Sequence, residues 1–420
     1  MGQERQPLLY CIADGFYMAQ EMAARCQAAG LRTLLVRGIP RTPREAGYDA
    51  VVMALRLQAI PPSEAVQKSL RGLHWLHMRQ DAGLMLACSA KASLIRAGNI
   101  LPVVDAMMAE RLLDCTVFFP PLPQKRRTRP GAFVLSDVEP EEKPLRTYAD
   151  ELEALAAEVG RHDSMRPSKE SAAEAAEEAL RLRIQHFQQQ YGSCYLLNDC
   201  EEAAQVKKIA GLFDRRNALF VGRPQELALL LPEQSGARSD AGPTETAGRG
   251  IVLAGSCAPI VLQQISTFRT MRGPEACYRL LPVRLMSREQ KRADIWRWIA
   301  ASKGDILISS SEAAERVREN RHLGRNRLFG LLEQYMSAIA EQTLGAGFRR
   351  VVIAGSETAD AVLAVLGWRQ FEVLARAAEE IPVLMPLQQP DVRIVFKHGS
   401  QGGRDFFWRA LRQMGSEKAD

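Results

Sequence analysis

Ile251-Val252-Leu253-Ala254-Gly255-Ser256-Cys257 is an apolar run too short for a helix, closed by a small-residue turn, with a helical pattern following over Pro259–Thr267. Val351-Val352-Ile353-Ala354-Gly355-Ser356-Glu357-Thr358 repeats the arrangement, with a helix over Thr358–Leu366. Short, continuously apolar strands that hand over to helices are the signature of parallel sheets covered on both faces. The turns between them carry a second implication. Free backbone N–H groups and the positive end of a helix dipole make such a turn an anion site. A third glycine turn, Lys397-His398-Gly399-Ser400-Gln401-Gly402-Gly403, lies near the end of the chain. Three turns, one with a lysine, suit a polyphosphate. The competing reading is that small residues there only let helices pack close to strands. Neither GxxxxGK[ST] nor GxGxxG occurs, which excludes the P-loop and Rossmann fingerprints.

Working outward, Leu8–Ala13, Leu34–Val36, Ala50–Leu55 and Thr116–Phe119 read as strands of a first piece. Residues 18–29 read as a helix ended by Gly30. Residues 149–189 read as helical, broken near Gly160 and Pro167. Ala218–Val221, counted with the second piece, and Ile306–Ser309 read as strands, and Arg325–Leu344 as a helix. Residues 232–250 are rich in Gly, Ser, Thr and Pro and nearly lack large apolar side chains, so they cannot offset their ordering entropy. That stretch is the expected linker between domains at 1–231 and 251–420. The expected fold is α/β: two domains, each a mainly parallel sheet flanked by helices, with an interdomain cleft.

The chain has 420 residues, 46 % of them apolar and 25 % charged, which excludes a collagen-like, mucin-like or disordered protein. Its net charge of +6 permits anionic small ligands without demanding nucleic acid. Eight cysteines with no CxxC indicate a reduced interior rather than a disulfide scaffold. The N-terminal apolar run is too short for a signal-peptide core, and no stretch is long enough to span a membrane. A cytoplasmic location is expected, although a signal read by a specialised export machine would escape this test. His74 and His77 read as packing or surface residues, and Cys194 and Cys200 lack a second ligand pair for zinc. The basic run Lys125–Arg129 carries no interleaved aromatics and reads as a solvated loop or an anionic-substrate contact.

The order of motifs resembles the four-carbon acid sugar kinase family (DUF1537), some members of which were once labelled Hrp-dependent type III effectors. Ala254-Gly255-Ser256-Cys257-Ala258 is similar to the family's SGSCS, with Gln264 where glutamine is frequent. Gly355-Ser356-Glu357-Thr358 is similar to GGET. The segment from Lys397 through Gly399, Gly402 and Gly403 to Asp405-Phe406-Phe407 is similar to KSGNFGGPDFF. The N-terminal half departs further. IADDLTGA appears as Ile12-Ala13-Asp14-Gly15-Phe16-Tyr17-Met18-Ala19. KTDSTLRGN appears as Lys91 through Ser93, Leu94, Ile95 and Arg96 to Ala97-Gly98-Asn99, with Arg96 one place early. SRTIPAEEAV appears with Gln58 in place of arginine, and PAFPxxGRT keeps Arg127 and Thr128.

The resemblance implies an N-terminal acid-sugar domain, a C-terminal nucleotide domain, and ATP-dependent phosphorylation of a hydroxyl on a small sugar acid. It implies Asp14 as the base or hydroxyl-orienting group, and Lys91, Arg96, Asn99 and Arg127 around the substrate. Ser256, Gly355, Ser356, Glu357, Thr358, Lys397, Gly399, Gly402 and Gly403 would hold ATP, with Mg²⁺ on the nucleotide and no protein-borne metal centre. The partner is then a small anionic sugar acid, with no nucleic acid and no membrane, and a homo-oligomer is allowed. Because Asp, Ser and Thr partners of the acceptor are replaced, two readings stay open: a kinase with an altered acceptor site, or a catalytically weak or inactive nucleotide-binding protein acting through a partner.

Overall fold

The protein's structure is a computed structural model that describes residues 7–79, 82–88, 99–113, 115–119, 134–136, 182, 194–197, 203–232, 244–312, 318, 325–376 and 381–415. The chain divides into two compact units, Met1–Ala237 and Arg238–Asp420. The division falls within the stretch expected as linker. The far end of that stretch is already ordered into the second unit: the Thr246 N–H donates to the Met414 carbonyl at 2.9 Å.

The first unit runs β1 (Leu9–Ala13), α1 (Phe16–Ala28), β2 (Thr33–Arg37), β3 (Ala50–Ala54), α2 (Pro62–Leu76), β4 (Gly83–Ala87), α3 (Ile100–Arg111), β5 (Cys115–Phe119), β6 (Val134–Ser136), β7 (Cys194–Leu197), α4 (Ala203–Gly211), β8 (Ala218–Gly222) and α5 (Pro224–Leu227). Its strands lie in the order β2-β3-β1-β4-β8-β5-β7-β6. All pairs are parallel except β6 with β7. Every residue of β1, β3, β5 and β8 is buried, as a sheet covered on both faces requires. One assignment is corrected here. Ala218–Val221 belongs to this sheet, because β8 pairs with β4 and β5. Strand order in space does not follow order in sequence, and β8 fills the slot between two strands that precede it. The helical reading of 149–189 lies outside the described residues.

The second unit runs β9 (Arg249–Ala254), α6 (Pro259–Arg272), β10 (Cys277–Arg279), α7 (Pro282–Met286), α8 (Arg292–Ala301), β11 (Ile306–Ser309), α9 (Arg325–Gly345), β12 (Phe348–Ala354), α10 (Ser356–Leu366), β13 (Gln370–Arg376), β14 (Pro382–Pro386), β15 (Arg393–Lys397) and α11 (Phe406–Gln413). The order is β10-β11-β9-β12-β15-β14-β13, parallel from β10 to β15, with β14 antiparallel to both neighbours. Val252, Ala254, Val352 and Val395 point to one face, where they pack with Val261 and Phe268 of α6 and Phe406, Phe407 and Leu411 of α11. The alternate residues Ile251, Val351 and Ile353 are also buried, so both faces are covered. No helix among the described residues is long and apolar enough to cross a membrane.

Candidate functional site

Register aligns the ends of the parallel strands of the second unit. Ser309, Ala254, Ala354 and Lys397 are neighbours in one row across β11, β9, β12 and β15. From β9 the chain crosses toward β10 and β11; from β12 it crosses toward β13–β15. The connections therefore diverge between β9 and β12, and such a switch point at the carboxyl edge is where open α/β sheets bind ligands.

All three glycine turns begin on that row and lock onto it. The Gly255 and Ser256 N–H groups donate to the Ala354 carbonyl at 2.9 and 3.1 Å, and the Gly355 N–H donates to the Lys397 carbonyl at 3.1 Å. The turns also touch. A Cβ on Gly399 would stand 2.4 Å from Ser256 Oγ, and one on Gly355 only 3.1 Å from the Ser256 nitrogen. Gly355 also holds φ +122°, which an L side chain rarely adopts. Two helices start here, α6 after Ala258 and α10 after Gly355, and neither N-cap residue supplies a capping side chain. Ser, Thr, Asp or Asn ordinarily fills that position. In α10, Gly355 leaves the first-turn N–H groups to a ligand; in α6, Pro259 has no N–H, and the Val261 and Leu262 N–H groups donate to the Ala258 carbonyl at 2.9 and 3.3 Å.

The structure thus gathers Ser256, Gly355, Ser356, Glu357, Thr358, Gly399, Gly402 and Gly403 onto one edge. Lys397 is also there, but fully buried, and its Nζ donates to the carbonyls of His398 at 3.0 Å and Gly399 at 3.4 Å. Sequence reasoning missed Glu312, just beyond β11. It is nearly buried, its N–H donates to Cys257 Sγ at 3.4 Å, and its carboxylate lies 3.5 Å from Arg279. No local pattern announces it, since its neighbours come from β10 and from the turn after β9.

The first unit has a comparable edge. Ala54, Ala13, Ala87, Gly222 and Phe119 form a row across β3, β1, β4, β8 and β5. The connections diverge between β1 and β4, and Asp14 stands there. Its N–H donates to the Ala87 carbonyl at 2.8 Å. Its Oδ1 accepts the Leu57 N–H at 2.7 Å and the Gln58 N–H at 3.0 Å. Among the described residues Oδ2 accepts none. Asn99 is buried, and its Nδ2 donates to the Leu57 and Ile60 carbonyls at 2.8 and 2.5 Å, so it holds the loop that holds Asp14.

Lys68 of α2, which sequence reasoning also missed, feels Asp14. Burial lowers the pKa of its ammonium, Glu64 and Asp14 raise it, and Arg56 and Arg71 lower it further. Lys91, Arg96 and Arg127 lie outside the described residues. His74 does meet a carboxylate: Nε2 is 2.6 Å from Glu110, in an exposed pair joining α2 to α3.

Comparison with known proteins adds to this geometry. The chain matches a family described as a sugar-binding N-terminal domain over residues 9–224, and one described as a nucleotide-binding C-terminal domain over residues 251–407. A 3-oxo-tetronate kinase of Cupriavidus necator is 31% identical over 435 residues, covering 98% of each chain. One of Methylobacterium radiotolerans is 30% identical over 429 residues, covering 97% of this chain and 99% of that protein. A solved Haemophilus influenzae structure of the DUF1537 family shares the fold, with a TM-score of 0.72 at 22% identity over 96% of this chain and 99% of that one. With a donor-lined edge in the nucleotide-binding match and a carboxylate edge in the sugar-binding match, the chain belongs to the four-carbon acid sugar kinase family.

Proposed function

We propose that this protein is an ATP-dependent kinase that phosphorylates a hydroxyl of a small, four-carbon type sugar acid, with an acceptor preference altered from its relatives. The observation that carries the reading is the row of three glycine turns on one switch point, with the uncapped N-terminus of α10. Backbone N–H groups there suit the β- and γ-phosphates, where catalysis is mainly positioning and charge stabilisation. Mg²⁺ takes one or two carboxylates beside phosphate and water oxygens. Glu357, in the first turn of α10, is a carboxylate of that kind. Among the described residues no group of three or more His, Cys, Asp or Glu forms a metal site of its own.

Asp14 supplies the other half. Two N–H groups fix its Oδ1, which leaves Oδ2 oriented and available. It accepts the acceptor's hydroxyl proton as the new O–P bond forms and the γ-phosphate parts from ADP. Relatives named for 3-oxo-tetronate make that acid the first acceptor to try. Gly15, Gln58, Ser93, Leu94, Ile95 and Ala97 depart from the family at acceptor-side positions, and this supports a shifted preference.

The same departures favour the second reading, a nucleotide-binding protein of weak or no activity that works through a partner. A coupled ADP-release assay over a panel of sugar acids separates the two. Acid-dependent ADP release supports the kinase; ATP binding with no acid-dependent release on any member supports the second reading.

A further inference from the structure

The third glycine turn is held from inside by two buried side chains on different elements. Gln264 of α6 is fully buried, and its Nε2 is shared among the carbonyls of Gln401, Gly402 and Gly403 at 3.2, 3.0 and 2.8 Å. Lys397 takes the carbonyls of His398 and Gly399, and its ammonium lies 6.0 Å from the Phe407 ring centroid. Five carbonyls of this short loop therefore point inward. A trans peptide unit is planar, so the carbonyl of one residue and the N–H of the next point to opposite sides. There are no cis peptides among the described residues. With the carbonyls of His398, Gln401 and Gly403 turned in, the N–H groups of Gly399, Gly402 and Arg404 turn out. Among the described residues those three N–H groups donate to nothing.

We propose that Gln264 and Lys397 are positioning residues, which draw in the loop's carbonyls and so present the N–H groups of Gly399, Gly402 and Arg404 to a phosphate. This rests on the nucleotide reading above. In it Lys397 acts through the backbone rather than touching the phosphate. α6 then has two tasks, since its first turn follows the Ser256 turn while its second clamps the Gly399–Gly403 loop.

The test uses the full chain with Gln264→Met, Lys397→Met and the double variant, each checked for native circular dichroism. Each single change should weaken Mg·ATP about tenfold or more, the scale of losing hydrogen bonds to a charged group, and adenosine far less. Because both act on one loop, the double variant should be no more than about threefold worse than the poorer single, a departure from additivity. Losses that multiply would assign Lys397 to the phosphate directly and overturn the proposal, as would either single variant binding ATP like the wild type.

A ligand-free readout stands apart. The Gln401 and Phe406 amides, bonded within the loop to His398 and Gly403, should exchange with deuterium about tenfold faster in Gln264→Met. Unchanged exchange would overturn the clamp. If wild-type protein binds no Mg·ATP, the nucleotide reading falls, and the exchange rates still decide the clamp. Should Lys397→Met fail to fold, Lys397→Arg takes its place in the cycle.

Discussion

At the carboxyl edge of the second unit the first turn of α10 and the loop after β15 keep backbone donors unspent among the described residues; at that of the first, the donors of Leu57 and Gln58 are spent on Asp14 Oδ1. Both edges sit at a point where the chain's crossovers diverge, so topology alone makes each a crevice. What differs is the residue placed there. Gly355 has no side chain and leaves an electropositive cradle, whereas Asp14 puts a fixed negative charge at the matching place. One edge suits phosphate, the other a hydroxyl that must lose a proton.

The sharpest way to break this comparison is Asp14→Asn. The amide oxygen still accepts the Leu57 and Gln58 N–H groups, so the loop stays, while the basic oxygen is lost. General-base help is typically worth about 10²–10⁴-fold, and turnover should fall by that order. Mg·ATP affinity should stay within about twofold, since its donors lie on the other edge. Full activity in Asp14→Asn would remove Asp14 from catalysis even if the kinase class stands.

Gly355→Val strikes the other edge. A β-branched side chain must adopt φ +122° and press on the Ser256 nitrogen, at a backbone cost of order 1–3 kcal/mol. Wild-type protein at about 100 times Kd should gain roughly 2.7 kcal/mol from ATP, seen as a rise in melting temperature. The variant should keep its fold and lose that rise. A preserved rise would place the nucleotide elsewhere.

A smaller effect separates acceptors. Threonate and erythronate should be turned over poorly, because each hydrogen-bonding partner lost at the acceptor costs about 1–3 kcal/mol. A coupled ADP-release assay reads this directly. Vigorous turnover of either acid would mean that Gly15 and Gln58 matter less than their chemistry suggests.

Most of the parallel strands were legible because a strand buried on both faces has to be apolar throughout, as in Leu8–Ala13, Ile251–Ala254 and Val351–Ala354. β15 was not, because Arg393 and Lys397 bracket it and both are buried. A charged residue inside a strand reads as a boundary until its partners are known. The glycine turns were legible as types of site. Their alignment was not, since it depends on the register of β9, β12 and β15. Asp14 was legible as a candidate base, but its anchoring was not, for the two N–H groups arrive from 43 and 44 residues away. Gln264 was visible only as a motif position; its three carbonyl partners lie across the unit.

Asn99→Ala carries the smallest effect and tests how far the acid edge depends on its supports. Asn99 touches the Leu57 and Ile60 carbonyls, so its loss should loosen the segment whose N–H groups hold Asp14. Removing one partner from a buried hydrogen-bonded pair costs about 1–3 kcal/mol, and denaturant unfolding should show a loss of that size. Turnover should fall less than in Asp14→Asn, because the carboxylate remains and only its orientation relaxes. Mg·ATP affinity should not change. If stability falls while turnover and its pH profile are untouched, the Leu57–Ile60 segment is scaffolding, and Asp14 is aimed by β1 alone. If turnover falls, the two backbone donors are what keep this carboxylate aimed.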